Sequence, residues 1–243
     1  MPAATQFLIV SAGRTGSNLL RSLIESHPAA FCGGEIFNKD YVDRDGVPWP
    51  VQGPLDPELS QLMHQDPAEY WRRLVALAAP GRAAVGAKLT YENGAAHPAA
   101  AEFFAADRRI RCIHLKRRNL LRVFLSLERA RATGQWMARG DAPPPPVALD
   151  LQKTVHYFFR HKELEAKADT VLATHPMLEI YYEDLAADPV GVGRRCVEFL
   201  GLDPNVPLRT QHKKSGKDGL REAIKNYDEL RAAFGEWFGF FDE

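Results

Sequence analysis

The feature that most constrains this chain is its first strand–loop–helix unit. Phe7-Leu8-Ile9-Val10 is an unbroken apolar run. Without polar alternation, such a run predicts a strand buried on both faces, as in a parallel sheet. It stops at Ser11-Ala12-Gly13-Arg14-Thr15-Gly16-Ser17, and then Leu19, Leu20, Leu23 and Ile24 recur at spacings of three and four. That spacing predicts an amphipathic helix from Ser17 to about Ser26. His27-Pro28 stops it, because proline disfavours helical backbone in the residue before it.

The same alternation continues downstream. Further strands are expected at Ala84–Leu89, Arg109–Leu115 and Met177–Tyr182. Helices are expected at Pro67–Ala79, Pro98–Ala106, Asn119–Arg131, Leu149–Ala168, Pro189–Leu200 and Leu220–Phe234. Asp188-Pro189 and Pro67 are N-terminal signals, and Gly201 is a stop. Residues 31–66, broken by Gly33-Gly34 and by Pro48, Pro50, Pro54 and Pro57, read as an irregular excursion over the sheet edge that shapes a substrate pocket. The loop at 132–146 ends in Pro143-Pro144-Pro145-Pro146, a stiff surface spacer. With 243 residues, 45% of them hydrophobic, the chain is expected to form one domain over 1–243. It is long enough to bury about 70% of its extended surface without staples. The expected class is α/β: three layers, α/β/α, around a central parallel sheet.

Charge and cysteine content narrow the function. Lys and Arg number 31 and Asp and Glu 31, so a general electrostatic grip on nucleic acid is not expected. Cys32, Cys112 and Cys196 form no C-x-x-C pair and read as reduced, buried thiols of a cytoplasmic protein. No apolar run is long enough for a membrane span, and the first residues lack the basic start of a signal peptide. The aromatic tail, Phe234 to Phe241, is expected to fold back on its own chain. Packing on a second copy, as in a homo-oligomer, is the alternative.

Two segments carry the chemistry. Gly13-Arg14-Thr15-Gly16-Ser17-Asn18 joins strand to helix. There, backbone N–H groups and the positive helix end form a nest for an anion. Thr15, Ser17 and Asn18 add side-chain donors, and Arg14 adds a planar fork suited to oxyanions. No lysine follows Gly16, so the usual nucleoside-triphosphate loop is absent, and so is G-x-G-x-x-G. The second segment is Lys116-Arg117-Arg118, after a strand, with Ser126 eight residues beyond Arg118. A fully helical stretch of that length rises about 12 Å, so Arg118 must bend toward Ser126 for both to reach one phosphate.

Taken together, S-A-G-R-T-G-S-N-L-L and I-H-L-K-R-R-N-L-L-R-V-F-L-S resemble the two phosphate motifs of sulfotransferases that use PAPS (3′-phosphoadenosine 5′-phosphosulfate). The likeness is to the bacterial carbohydrate, nodulation-factor and trehalose branches. It implies a P-loop-like nucleotide-binding fold, with Arg14, Thr15, Gly16, Ser17 and Asn18 on the 5′-phosphosulfate and Arg118 and Ser126 on the 3′-phosphate. It also implies PAP as product and a sugar or glycolipid hydroxyl as acceptor. I-Y-Y-E-D-L resembles a recurrent segment after a core strand, in which Glu183 and Asp184 cap or brace. The C-terminal R-K-G-x-x-G-D-W-K block of the eukaryotic enzymes is missing. Lys213 and Lys214 lie in the corresponding region, and either is a candidate to close over the 3′-phosphate.

Transfer of a sulfuryl group to an alcohol calls for an in-line acceptor, a base and cations on the departing charge. Glu35, just beyond the first helix, is the candidate base and matches a glutamate of the trehalose-type branch. Lys88, at a strand end, is a candidate contact to sulfonate or acceptor. His27 and His114 are rivals for the base, read more simply as a helix-end residue and a core histidine. The eight histidines show no metal-ligand spacing, and the reading needs no metal. The alternatives are a small-molecule kinase with an atypical phosphate loop and a non-catalytic nucleotide-binding protein.

Overall fold

The computed structural model describes residues 3–37, 57–136, 144–210 and 218–241. Five strands form one sheet: β1 (Thr5–Ser11), β2 (Ala30–Glu35), β3 (Ala84–Thr90), β4 (Arg111–Lys116) and β5 (Met177–Tyr181). Their order is β2-β3-β1-β4-β5, and every pairing is parallel. β1 is central, and its apolar run divides between two faces by the two-residue period of a strand. Leu8 and Val10 face Tyr70, Trp71 and Leu74 of α3 (Pro67–Ala78) and Phe104 of α5 (Pro98–Ala106). Phe7 and Ile9 face Leu20, Leu23 and Ile24 of α1 (Ser17–Glu25) and Val192, Cys196 and Val197 of α9 (Pro189–Phe199). The three-layer α/β arrangement is thus present.

The remaining helices are α2 (Pro57–Gln65), α4 (Tyr91–Ala96), α6 (Leu120–Thr133), α7 (Leu151–Leu172), α8 (Tyr182–Ala187), α10 (Leu220–Ala223) and α11 (Tyr227–Phe234). Helices α3, α6, α7 and α9 are N-capped by Asp66, Asn119, Asp150 and Asp188, each accepting from the backbone N–H three residues on.

Two expectations need correction. Residues 31–66 are not irregular throughout, since Ala30–Glu35 is an edge strand and Pro57–Gln65 a helix. Residues 38–56 lie outside the described residues. Leu220–Phe234 is not one helix. It breaks at Ile224, which forms a parallel bridge with Val147, and Lys225 N–H donates to the Val147 carbonyl. Ile224 is apolar, so the periodicity reads straight through a residue whose backbone is used elsewhere.

The aromatic tail packs on its own chain. Phe158 meets Phe234, Phe238 and Phe240 edge-on at 5.1–6.4 Å, and Phe241 is buried. Among the described residues no helix is long and apolar enough to cross a membrane.

Candidate active site

The C-terminal ends of all five strands lie on one edge of the sheet, where ligands of open parallel sheets bind. β1 delivers the loop Ala12–Gly16. Arg14 has φ 65° and Gly16 φ 86°, both in the left-handed region. Arg14 is the one non-glycine residue so placed among those described. That conformation is disfavoured for a side chain bearing Cβ, and such strain gathers at functional sites. Several contacts hold it. Thr15 Oγ1 donates to the Ala12 carbonyl at 2.7 Å, so this hydroxyl closes the loop. Arg117, directly after β4, donates from Nη1 to the Arg14 carbonyl at 3.1 Å. Its guanidinium also stacks 4.2 Å from the Tyr182 ring centre. That ring covers Gly16 so closely that a Cβ there would lie 2.4 Å from it. Helix α1 starts at this point without a side-chain cap, unlike the four helices with Asp or Asn caps. Its first-turn donors therefore face the loop mouth.

The Arg14 side chain runs to the second motif. Its Nε donates to Ser126 Oγ of α6 at 3.0 Å, across 112 positions of sequence. Its Nη1 donates to the Trp136 carbonyl. Burial, and then the neighbouring Arg117, lower the Arg14 pKa from its ordinary value. A second cation is close by. Lys88 in β3 is buried, and its Nζ donates to Asn18 Oδ1 at 2.5 Å and lies 3.3 Å from Glu35 Oε1. Glu35 and Lys88 are cross-strand partners. The register shifts between Cys32 and Glu35, at Gly33-Gly34, and such an irregularity re-aims the side chain that follows it. Loop, buried lysine and carboxylate thus form one connected constellation.

A family model described as the sulfotransferase family matches residues 6–205. The chain belongs to the sulfotransferase family.

Nodulation protein H of Rhizobium tropici is 27% identical over 250 residues, covering 100% of this sulfotransferase and 95% of that protein. The Rhizobium meliloti protein of the same name is 28% identical, with 97% and 94% covered. In fold, the sulfotransferase is similar to one from Alicyclobacillus acidocaldarius (TM-score 0.56, 19% identity, 100% and 95% covered). It is also similar to the sulfotransferase domain from the curacin biosynthetic pathway (TM-score 0.53, 18% identity, 93% and 86% covered). These likenesses do not favour the kinase or the non-catalytic nucleotide-binding alternative.

Not every expected site residue converges. Arg118 of the sulfotransferase pairs with Asp184, while Ser126 is held by Arg14. The Arg118 guanidinium meets Asp184 through Nη1–Oδ1 at 2.9 Å and Nη2–Oδ2 at 3.1 Å, and it lies 4.0 Å from the Tyr181 ring centre. Glu183 accepts the backbone N–H of Arg118 at 3.1 Å and of Asn119 at 3.3 Å. Lys213 and Lys214 lie outside the described residues. His27 is buried past the end of α1, its Nδ1 accepting from Ala29 N–H.

His114 is buried in β4, with Nε2 2.6 Å from the Tyr91 hydroxyl and Nδ1 3.2 Å from Asp169. Burial, and then Lys116, push its pKa down to about 4. His114, Asp169 and Glu179 bring donor atoms within 4.8 Å of one another, a grouping no sequence spacing revealed. Lys116 Nζ sits 2.7 Å from both carboxylates, so the chain's own ammonium already bridges them. Cys32, Cys112 and Cys196 are all buried, and burial pushes each thiol up to about 12. At that value a thiolate is not formed near neutrality. Sequence reasoning missed Tyr182 and gave Arg117 no role beyond its basic cluster, although both directly follow strand ends, where side chains can reach the loop.

Proposed function

We propose that this sulfotransferase takes its sulfuryl group from PAPS and transfers it to a hydroxyl of a carbohydrate or glycolipid, leaving PAP. The observation that carries this reading is the Arg14 Nε–Ser126 Oγ hydrogen bond of 3.0 Å. It joins the two motifs that the resemblance assigns to the two ends of one doubly phosphorylated nucleotide. The donor set fits such a ligand: an uncapped helix start, a nest turn, and guanidiniums at Arg14 and Arg117. Thr15, Gly16, Ser17 and Asn18 hold the 5′ end, and Arg118 and Ser126 select the 3′-phosphate. The resemblance to carbohydrate-acting branches, and the similarity to proteins named nodulation protein H, support the acceptor class.

The nucleotide supplies an activated sulfuryl group; the chain's residues do the rest. Glu35 takes the proton of the acceptor hydroxyl at its carboxylate. Lys88, 3.3 Å away, orients that carboxylate and ties it through Asn18 to the phosphate loop. Arg14 leaves Ser126 to neutralise charge developing at the 5′ end, where a cation in a partly dry site acts more strongly than in water. Three buried thiols, none in a disulfide, support a reducing, cytoplasmic setting.

Calorimetric titration of the intact chain with PAP, 5′-AMP and ATP·Mg²⁺ tests the nucleotide. PAP binding well above AMP supports the reading, and a preference for ATP overturns it. An acceptor screen with PAPS then tests the hydroxyl class. Turnover only on acceptors without a sugar overturns that part.

A further inference from the structure

We propose that Asp184 is an internal competitor for the 3′-phosphate: it occupies the edge of Arg118 that the nucleotide needs, and so weakens nucleotide binding. This rests on the assignment of Arg118 to the 3′-phosphate made above. Around the start of α6, two kinds of anion-seeking donor lie side by side. One is the Arg118 guanidinium, and the other is the pair of backbone N–H groups of Arg118 and Asn119. Both face carboxylates from a single dipeptide.

The two acids divide the work, although Glu183 Oε2 also lies 3.9 Å from Arg118 Nη1. Glu183 accepts from backbone, which fixes the turn between β4 and α6. Asp184 accepts from the side chain, through a two-pronged fork. A carboxylate and a phosphate present similar paired oxygens to a guanidinium, so one edge of Arg118 serves one of them at a time. Arg118 and Asp184 have side chains 50% and 52% exposed, so the exchange disturbs no buried packing. An exposed pair of this kind contributes little. The competitor therefore tempers affinity without abolishing it, and it also places a negative charge beside the incoming phosphate. Its consequence is faster release of the product nucleotide.

The experiment is calorimetric titration of PAP and 5′-AMP into the full-length wild type, D184N, D184A, R118A and R118A/D184N. Both single Asp184 variants are expected to bind PAP about three- to fivefold more tightly, with AMP affinity unchanged. The gain shrinks in about 0.5 M salt and disappears in the R118A background. Unchanged or weaker PAP binding in both Asp184 variants overturns the proposal. So does an equal gain for AMP, or a gain that survives R118A, which would mark a general charge effect. A wild type that binds PAP no better than AMP is a separate result, read before any variant. It overturns the nucleotide assignment, and the competitor with it.

Discussion

Arg14 shows how one residue can be held against its own backbone preference. A side chain at φ 65° is disfavoured locally, and the Thr15 hydroxyl and Arg117 guanidinium supply the contacts that keep it there. Gly16 meets a stricter demand, because its φ of 86° and the Tyr182 ring both exclude a Cβ. Gly16→Ala is therefore expected to lose about 2 kcal/mol of stability, read as a lower denaturant midpoint, and to weaken PAP binding. Glu35→Gln is expected to lower kcat by about 10²–10⁴-fold with PAP affinity nearly unchanged. A variant that kept full turnover would remove Glu35 as the base. Arg118→Ala should weaken PAP about 10- to 100-fold, the range for hydrogen bonds to a charged group, and leave 5′-AMP almost unaffected. Equal losses for both ligands would deny Arg118 its selective role. The types and spacing of these residues were legible in the sequence. The direction of Arg118 was not, because Asp184, 66 positions away, decides it.

Among the elements, those made by local signals were the legible ones. Pro98–Ala106 forms over the residues its proline and apolar spacing predict, and α1 ends one residue before expectation. β2 was hidden because Gly33-Gly34 reads as a turn, while parallel pairing with β3 makes it the edge strand. The break between α10 and α11 was hidden because its cause is Val147, brought close only by the fold. The tail is part of a core shared with α6, α7 and α11 rather than an appendage, since Phe158 is 1% exposed among Phe234, Phe238 and Phe240. Phe158→Ala is expected to cost about 3–5 kcal/mol and to lower Tm by about 10 °C, measurable by calorimetry. A shift below about 2 °C would mean the tail contributes little to that core.

The whole molecule carries an acid-sensitive group on β4, the strand paired with the one that delivers its loop. Burial depresses the His114 pKa to about 4. The groups facing it are Tyr91 from α4, Asp169 and Glu165 from α7, Lys116 on its own strand and Glu179 on β5. A histidine whose folded value lies below its unfolded value contributes stability that is complete above about pH 6.5. That contribution is lost as pH falls toward 4, because the unfolded chain binds the proton first. Denaturant midpoints are expected to drop across this window in the wild type and to flatten in His114→Gln. An equal slope in both would assign the loss to the carboxylates. The sheet order has a different consequence, one of timing. β1 leaves the ribosome before either of its partners, which span residues 84–90 and 111–116. This apolar segment must therefore wait for over a third of the chain before its first partner exists, and for nearly half before its second does. Such long-range parallel pairing is slow and exposes sticky surface meanwhile. During synthesis, the strand that later presents the phosphate loop is thus an exposed liability of the nascent chain, and a segment where a chaperone has work to do.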